Sequence, residues 1–207
     1  MLAYVFWHRP LEDSDNSAVE AYEHADLAFH RSLAHVPPAG FQGSAVFRVD
    51  ELPWLDGPGY EDWYFVEDYT ALGVLNEAAV GHGHRTAHDG VAHRFGAGAG
   101  GLYCLIEGRP PLGAGRGVKY FGEESAAVWV ARAAGIERRG LGEMLGDGMD
   151  AQHASLWRRQ LVFGPAPEFC LLAGDRAKLG LSAGVAPSRL PVGWTASMFE
   201  REALWAG

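Results

Sequence analysis

Short apolar runs rich in aromatic and β-branched residues, separated by helical stripes, limit most strongly what this chain can fold into. Leu2 to His8 reads as a strand, closed by Pro10. An acidic loop, Leu11 to Asn16, leads to Ser17-Ala-Val-Glu20. That is a capping-box pattern, in which the serine hydroxyl takes the N3 amide and Glu20 reaches back. The helix it opens carries Val19, Tyr22, Ala25, Phe29 and Leu33 on one stripe and stops before Pro37-Pro38. Gly43 to Val49 and Glu61 to Val66 follow as strands. The Pro- and Gly-rich segment between them is expected to be an elaborated hairpin, of a kind that closes over a site. Asp68 caps a helix over residues 69–80, a histidine-rich helix follows, and Gly101 to Glu107 is a fourth strand.

Pro110 to Gly117 breaks the composition and marks a linker, dividing the chain into halves 1–109 and 118–207 around residues 110–117. The same order of elements is expected again beyond it. Ala126 to Arg132, Trp157 to Phe163, Phe169 to Ala173 and Trp194 to Glu200 read as strands, with weak helices at Leu141 to Ser155 and around Lys178. Asp68-x-x-x-Leu72-Gly73 and Asp175-x-x-x-Leu179-Gly180 are an internal match at the same strand-helix junction. The fold expected is α+β, two ferredoxin-like βαββαβ halves forming one dimeric-α+β-barrel-like unit.

On that order of elements and its aromatic strands, the chain resembles the dimeric α+β barrel superfamily, with both halves on one chain. The resemblance implies two facing four-stranded sheets with helices outside. It also implies a choice of functions: cofactor-free antibiotic-biosynthesis-type monooxygenases, muconolactone-isomerase-like enzymes, stress-responsive proteins, or haem enzymes related to chlorite dismutase and dye-decolorising peroxidases. A peroxidase-type Gly-x-x-Asp-Gly segment is missing, because Pro53 stands where Asp56-Gly57 would need the first glycine.

The formal charge is −9, from 17 Lys+Arg against 26 Asp+Glu, and the cations form no run. A nucleic-acid or anionic-membrane partner is therefore not expected. No apolar run approaches the ~20 residues of a membrane span, and Met1 to Arg9 lacks a signal peptide's basic start, so a cytoplasmic protein is expected. Seven Trp, seven Tyr and ten Phe can furnish a core or the wall of an apolar pocket. Cys104 and Cys170 sit in apolar runs without CxxC spacing and are expected to be buried free thiols.

The candidate sites rest on periodicity. Read as a helix running to Phe95, the histidine stretch places His84, Ala87, His88, Val91, Ala92 and Phe95 inward, with Arg85 and Asp89 paired outside. His84 and His88 have the i,i+4 spacing that can chelate a divalent metal or serve haem; the plainer reading is a pair of hydrogen-bonded histidines. The glycines from Gly96 to Gly101 read as a helix stop and turn. Strand alternation puts Tyr4, Phe6 and His8 on one face, and Ser44, Val46 and Arg48 on another. If these line the barrel interior, His8 or His88 can act as general base and Arg48 can stabilise an anion. Trp54 and Asp56 are candidates for a lid. The function expected is binding of a small apolar or anionic molecule by a monooxygenase- or isomerase-like enzyme. No cofactor is expected, with haem or a divalent metal as the alternative. A non-catalytic assembly protein and a homo-oligomer are further readings.

Overall fold

Strand β1 (Leu2–Pro10) defines the two faces on which everything else is arranged. In an extended chain successive side chains alternate sides. Ala3, Val5 and Trp7 join one buried cluster, while Tyr4, Phe6 and His8 point the other way. Antiparallel neighbours extend both faces: β3 (Gly57–Val66) pairs with β1 on one side and β4 (Phe95–Gly108) on the other. This computed structural model describes residues 1–11, 15–52, 54–55, 57–81, 83–112, 125–133, 135, 154–162, 167–174 and 192–207.

The remaining strands are β2 (Phe41–Leu52), β5 (Ala126–Arg132), β6 (Ala154–Val162), β7 (Phe169–Ala173), β8 (Trp194–Met198) and β9 (Arg201–Ala206). All join one nine-stranded sheet in the order β8-β5-β7-β6-β4-β1-β3-β2-β9. Neighbouring strands lie ~4.8 Å apart, so in a flat sheet β5 would lie ~24 Å from β3, five steps away. Instead the Trp129 ring of β5 lies 5.5 Å from Trp63 of β3 and 5.0 Å from Trp7 of β1. The sheet therefore curls around the Trp7 face. Its two end strands are also consecutive in sequence, joined only by Phe199 and Glu200.

Three helices among the described residues cover the Tyr4 face: α1 (Asn16–His35), α2 (Tyr69–Val80) and α3 (Arg85–Ala92). Asp15, not Ser17, caps α1: its carboxylate accepts from the Ala18 amide at 2.8 Å. Asp68 caps α2 in the same way, as its position before the apolar stripe predicts.

The expectation of two ferredoxin-like βαββαβ halves is overturned. The sheet is continuous, and the strands after residue 125 contribute edges and lining to a single curled sheet, with no helix among their described residues. The expected helix over Leu141 to Ser155 ends inside β6, and β9 is an additional strand. Residues 141–153 of that expected helix, the element around Lys178, the second Asp-x-x-x-Leu-Gly match and most of the linker lie outside the described residues. The 50–59 segment is no long excursion: β2 and β3 continue to the pair Leu52 and Gly57. Trp54 then packs edge-on against Trp7 at 5.0 Å and Phe199 at 5.5 Å, within the barrel's cluster; Asp56 lies outside the described residues. Phe95 begins β4 and does not end the histidine helix, so the glycine run is part of a strand. Cys170 is buried in the barrel and its thiol is pushed well up by that burial. Cys104, on the helix side, is only half-buried.

Candidate functional site

The helix-covered face of the sheet carries the chemistry. Helix α1 buries Tyr22, Asp26, Phe29, His30 and Leu33, a stripe at i, i+4, i+7, i+8 and i+11. Asp26 and His30 of that stripe sit directly over β1 and β3. His8 Nε2 lies 3.0 Å from Asp62 Oδ2, and His30 Nε2 reaches the same oxygen at 3.2 Å. The Tyr64 hydroxyl donates to it at 2.9 Å. The other ring nitrogens are held by hydroxyls: His8 Nδ1 meets Tyr22 at 2.5 Å and His30 Nδ1 meets Ser44 at 2.8 Å. Asp26, His30, Asp62 and His8 are each no more than 2% exposed.

The charges divide as this geometry requires. Burial disfavours the Asp62 carboxylate, but His8 and His30 hold it well below the usual range. Burial likewise opposes charge on His8, yet Asp62, its hydrogen bond and Asp26 lift its pKa above the ordinary value. Asp26 goes the opposite way. Burial first, then the neighbouring Asp62 charge, push it up to about 7, and when protonated it hydrogen-bonds Asp62. Asp26 Oδ2 is buried and has no hydrogen-bond partner among the described residues. Ligand atoms of His8, Asp26 and Asp62 lie within 4.8 Å of one another, the one such set of three among the described residues.

The cluster opens onto a cavity of about 710 Å³ between the sheet and α1, α2 and α3. Tyr4, Phe6, Phe29, Tyr64, Leu75 and Leu102 are among its walls, so it is apolar apart from a few convergent polar groups. Tyr69, Val80, Phe95 and Leu161 also line it, and these large apolar side chains are exposed. Its rim is therefore apolar too.

The structure gives the sequence candidates different places. His8 belongs to the cluster, but its face looks toward the helices, not into the barrel. Arg48 shares that side and is bound by Glu23 and Glu202 at the surface, with 42% of its side chain exposed. His88 lines the cavity, edge-on to Phe29 at 5.6 Å. His84 is buried, with Nε2–H donating to the Val36 carbonyl at 3.1 Å and Nδ1 3.0 Å from the Ser32 hydroxyl. Both its ring nitrogens are thus engaged in tying α1 to the start of α3. Arg85 and Asp89 pair on the outside at 3.4 Å. His84→Ala is expected to cost about 1–3 kcal/mol in urea unfolding, because two hydrogen bonds of roughly 0.5–1.5 kcal/mol each are lost between α1 and the start of α3. Asp26 and Asp62 were not among the sequence candidates. The available signal was an acid at the centre of an apolar helical stripe, four residues before His30.

Fold and site together are a curled, nine-stranded antiparallel sheet with a largely apolar cavity beneath its helices. No family model matches the sequence, and no curated protein matches it. Among solved structures, one described as an anthrone oxidase-like protein matches with a TM-score of 0.52 at 11% identity, over 100% of this chain and 92% of that one. A candidate monooxygenase from Fusobacterium nucleatum subsp. nucleatum matches with a TM-score of 0.59 at 9% identity, over 99% and 93%. At such identities the likeness is one of fold alone.

Proposed function

We propose that this chain is a monooxygenase-like enzyme that binds a neutral, apolar aromatic molecule and removes an acidic proton from it, with Asp26 as general base. The observation that carries this is Asp26 itself: a buried carboxylate with an unpartnered oxygen, on an aromatic cavity. A base held near 7 matches its task, since a substantial fraction is ionised at neutral pH and that fraction still accepts a proton readily. His8, His30 and Asp62 position and polarise it. Tyr4 also lines the cavity, and burial raises its phenol to about 12, so it stays protonated and can donate to a carbonyl that becomes an enolate. Asp62, and Asp26 once ionised, make the cavity hospitable to a neutral ligand rather than an anion. Arg48 has no part in this reading; His88 contributes wall.

A substrate of the anthrone kind illustrates the chemistry. Asp26 takes one proton from the ring CH₂, and the resulting enolate is delocalised over the fused rings. Dioxygen adds to that carbon to give a peroxide. Loss of the second C–H proton with cleavage of the O–O bond yields a carbonyl and water, so that CH₂ plus O₂ becomes C=O plus H₂O. The test is anthrone oxidation by chelator-treated protein in air, followed by oxygen uptake and quinone absorbance. Uptake above the spontaneous rate, with equimolar quinone, is expected. Failure to bind anthrone, or binding with no rate above background, overturns the reading for this substrate.

A further inference from the structure

The glycine run of β4 lies beneath the aromatic wall of the cavity. In the β1–β4 register Phe6 faces Gly100, His8 faces Gly98 and Tyr4 faces Leu102. The rings do not stand over their own partners; they lean along β4. A Cβ built on Gly98 would sit 2.6 Å from Phe6 Cζ and 2.9 Å from the Phe95 ring. One built on Gly100 would sit 3.1 Å from the Tyr4 hydroxyl oxygen. Ring tips that come this close to a Cβ position lie down on the sheet surface. Adjacent rings are nearly parallel: 19° for Tyr4 and Phe6, 22° for Phe6 and His8, and 26° for Phe6 and Phe95. The result is a low, flat wall that ends at the His8 cluster.

We infer that Gly98 and Gly100 are the specificity-determining positions of the cavity, and that the ligand they select is planar with several fused rings. By offering no side chain, they let Phe6 and Tyr4 lie flat and leave the space above them to the ligand. The inference rests on the cavity being the ligand site. Neither glycine has a left-handed backbone conformation, so alanine is sterically opposed there only by the rings. At Gly98 the ring must lift into the cavity; at Gly100 the displacement is smaller. The cost therefore falls on wide ligands and spares narrow ones, as expected for a pocket that discriminates by shape.

The experiment measures binding of phenol, 2-naphthol and 2-hydroxyanthracene by tryptophan quenching and calorimetry, with thermal melts as a fold control. Wild type should bind more tightly with each added ring. Gly98→Ala should lose roughly tenfold or more for the three-ring probe and under about threefold for phenol, with a smaller loss in the same order for Gly100→Ala. Adding Phe6→Ala to Gly98→Ala should restore most of the three-ring binding, because the lifted ring is gone. If wild type binds the series and the variants lose all probes equally, or none, the inference is overturned while the cavity reading stands. If wild type binds no probe, both are overturned.

Discussion

Replacing Glu61 by alanine is expected to cost about 3–5 kcal/mol, the usual penalty for breaking a buried ion pair from one side. Glu61 lies on the barrel-facing side of β3 beside Trp63 and Phe65, and it is 1% exposed. Its Oε2 accepts from the Trp7 indole at 2.9 Å, and Oε1 accepts from Trp63 at 2.8 Å and from Arg201 at 2.7 Å. The Arg201 side chain is itself only 4% exposed, lies 4.0 Å over the Phe47 ring and reaches Ser125 at 3.2 Å. One carboxylate thus ties β1, β3 and β9 together and answers a buried guanidinium. Alanine takes this carboxylate away from Arg201 and from the Trp7 and Trp63 indole donors. Urea unfolding measures the loss. The pair Glu61→Leu with Arg201→Met should recover much of it, since a well-packed apolar replacement avoids the desolvation cost. A loss below about 1 kcal/mol for Glu61→Ala would mean that the interior is wet enough to hydrate Arg201.

How far the sequence carried the structure depended on what each signal measured. Strands β5 and β7 and helix α2 fall at their expected bounds, because each is a local pattern closed by its own stop signals. The faces of β1 and β2 were legible from alternation. Which face meets helices was not, because both faces are apolar and only the curling of the sheet decides. Glycine lacks strand propensity, so residues 96–101 look like a helix stop and turn in the sequence; pairing with β1 and the rings of Tyr4 and Phe6 override that. Asp26 does not stand out in the sequence, because the apolar stripe of α1 runs through Tyr22, Ala25, Phe29 and Leu33 without it. Yet a carboxylate between Tyr22 and Phe29, followed at i+4 by His30, is the pattern a buried ionic site leaves on a helix. Asp62 and Glu61 alternate to opposite faces of β3, one acid for each interior. Nothing local to Tyr60-Glu-Asp-Trp63 says which acid meets a histidine and which an arginine.

The same contrast makes Asp26→Asn the most informative substitution: it should abolish turnover and raise stability together. Groups facing Asp26 are His8 from β1, Asp62 and Tyr64 from β3, and Tyr22 and His30 from α1, while Tyr4 and His88 line the same cavity. Its folded pKa of about 7 exceeds the ordinary value near 4. Between those two values the folded state binds the extra proton, so Asp26 makes stability fall as pH rises from about 4 to 7. His8, also raised, contributes stability below about 6.5 that is lost as pH climbs through its folded value. Asp62, depressed, contributes above about 4 and loses its contribution on acidification below that. Wild type should therefore be most stable near pH 4 and lose stability as pH rises from there, more steeply once His8 also begins to contribute above about 6.5. Asparagine resembles the protonated form, since its amide can donate to Asp62, and it carries no charge to bury. At pH 8 the variant should be more stable than wild type by roughly 2–4 kcal/mol, and at pH 5 by much less. Its turnover should fall by roughly 10²–10⁴, the contribution of a positioned general base. Thermal melts at the two pH values and the oxygen-uptake assay decide it. If Asp26→Asn melts at the same temperature as wild type at pH 8, the carboxylate is hydrated rather than buried; if turnover survives, another group is the base.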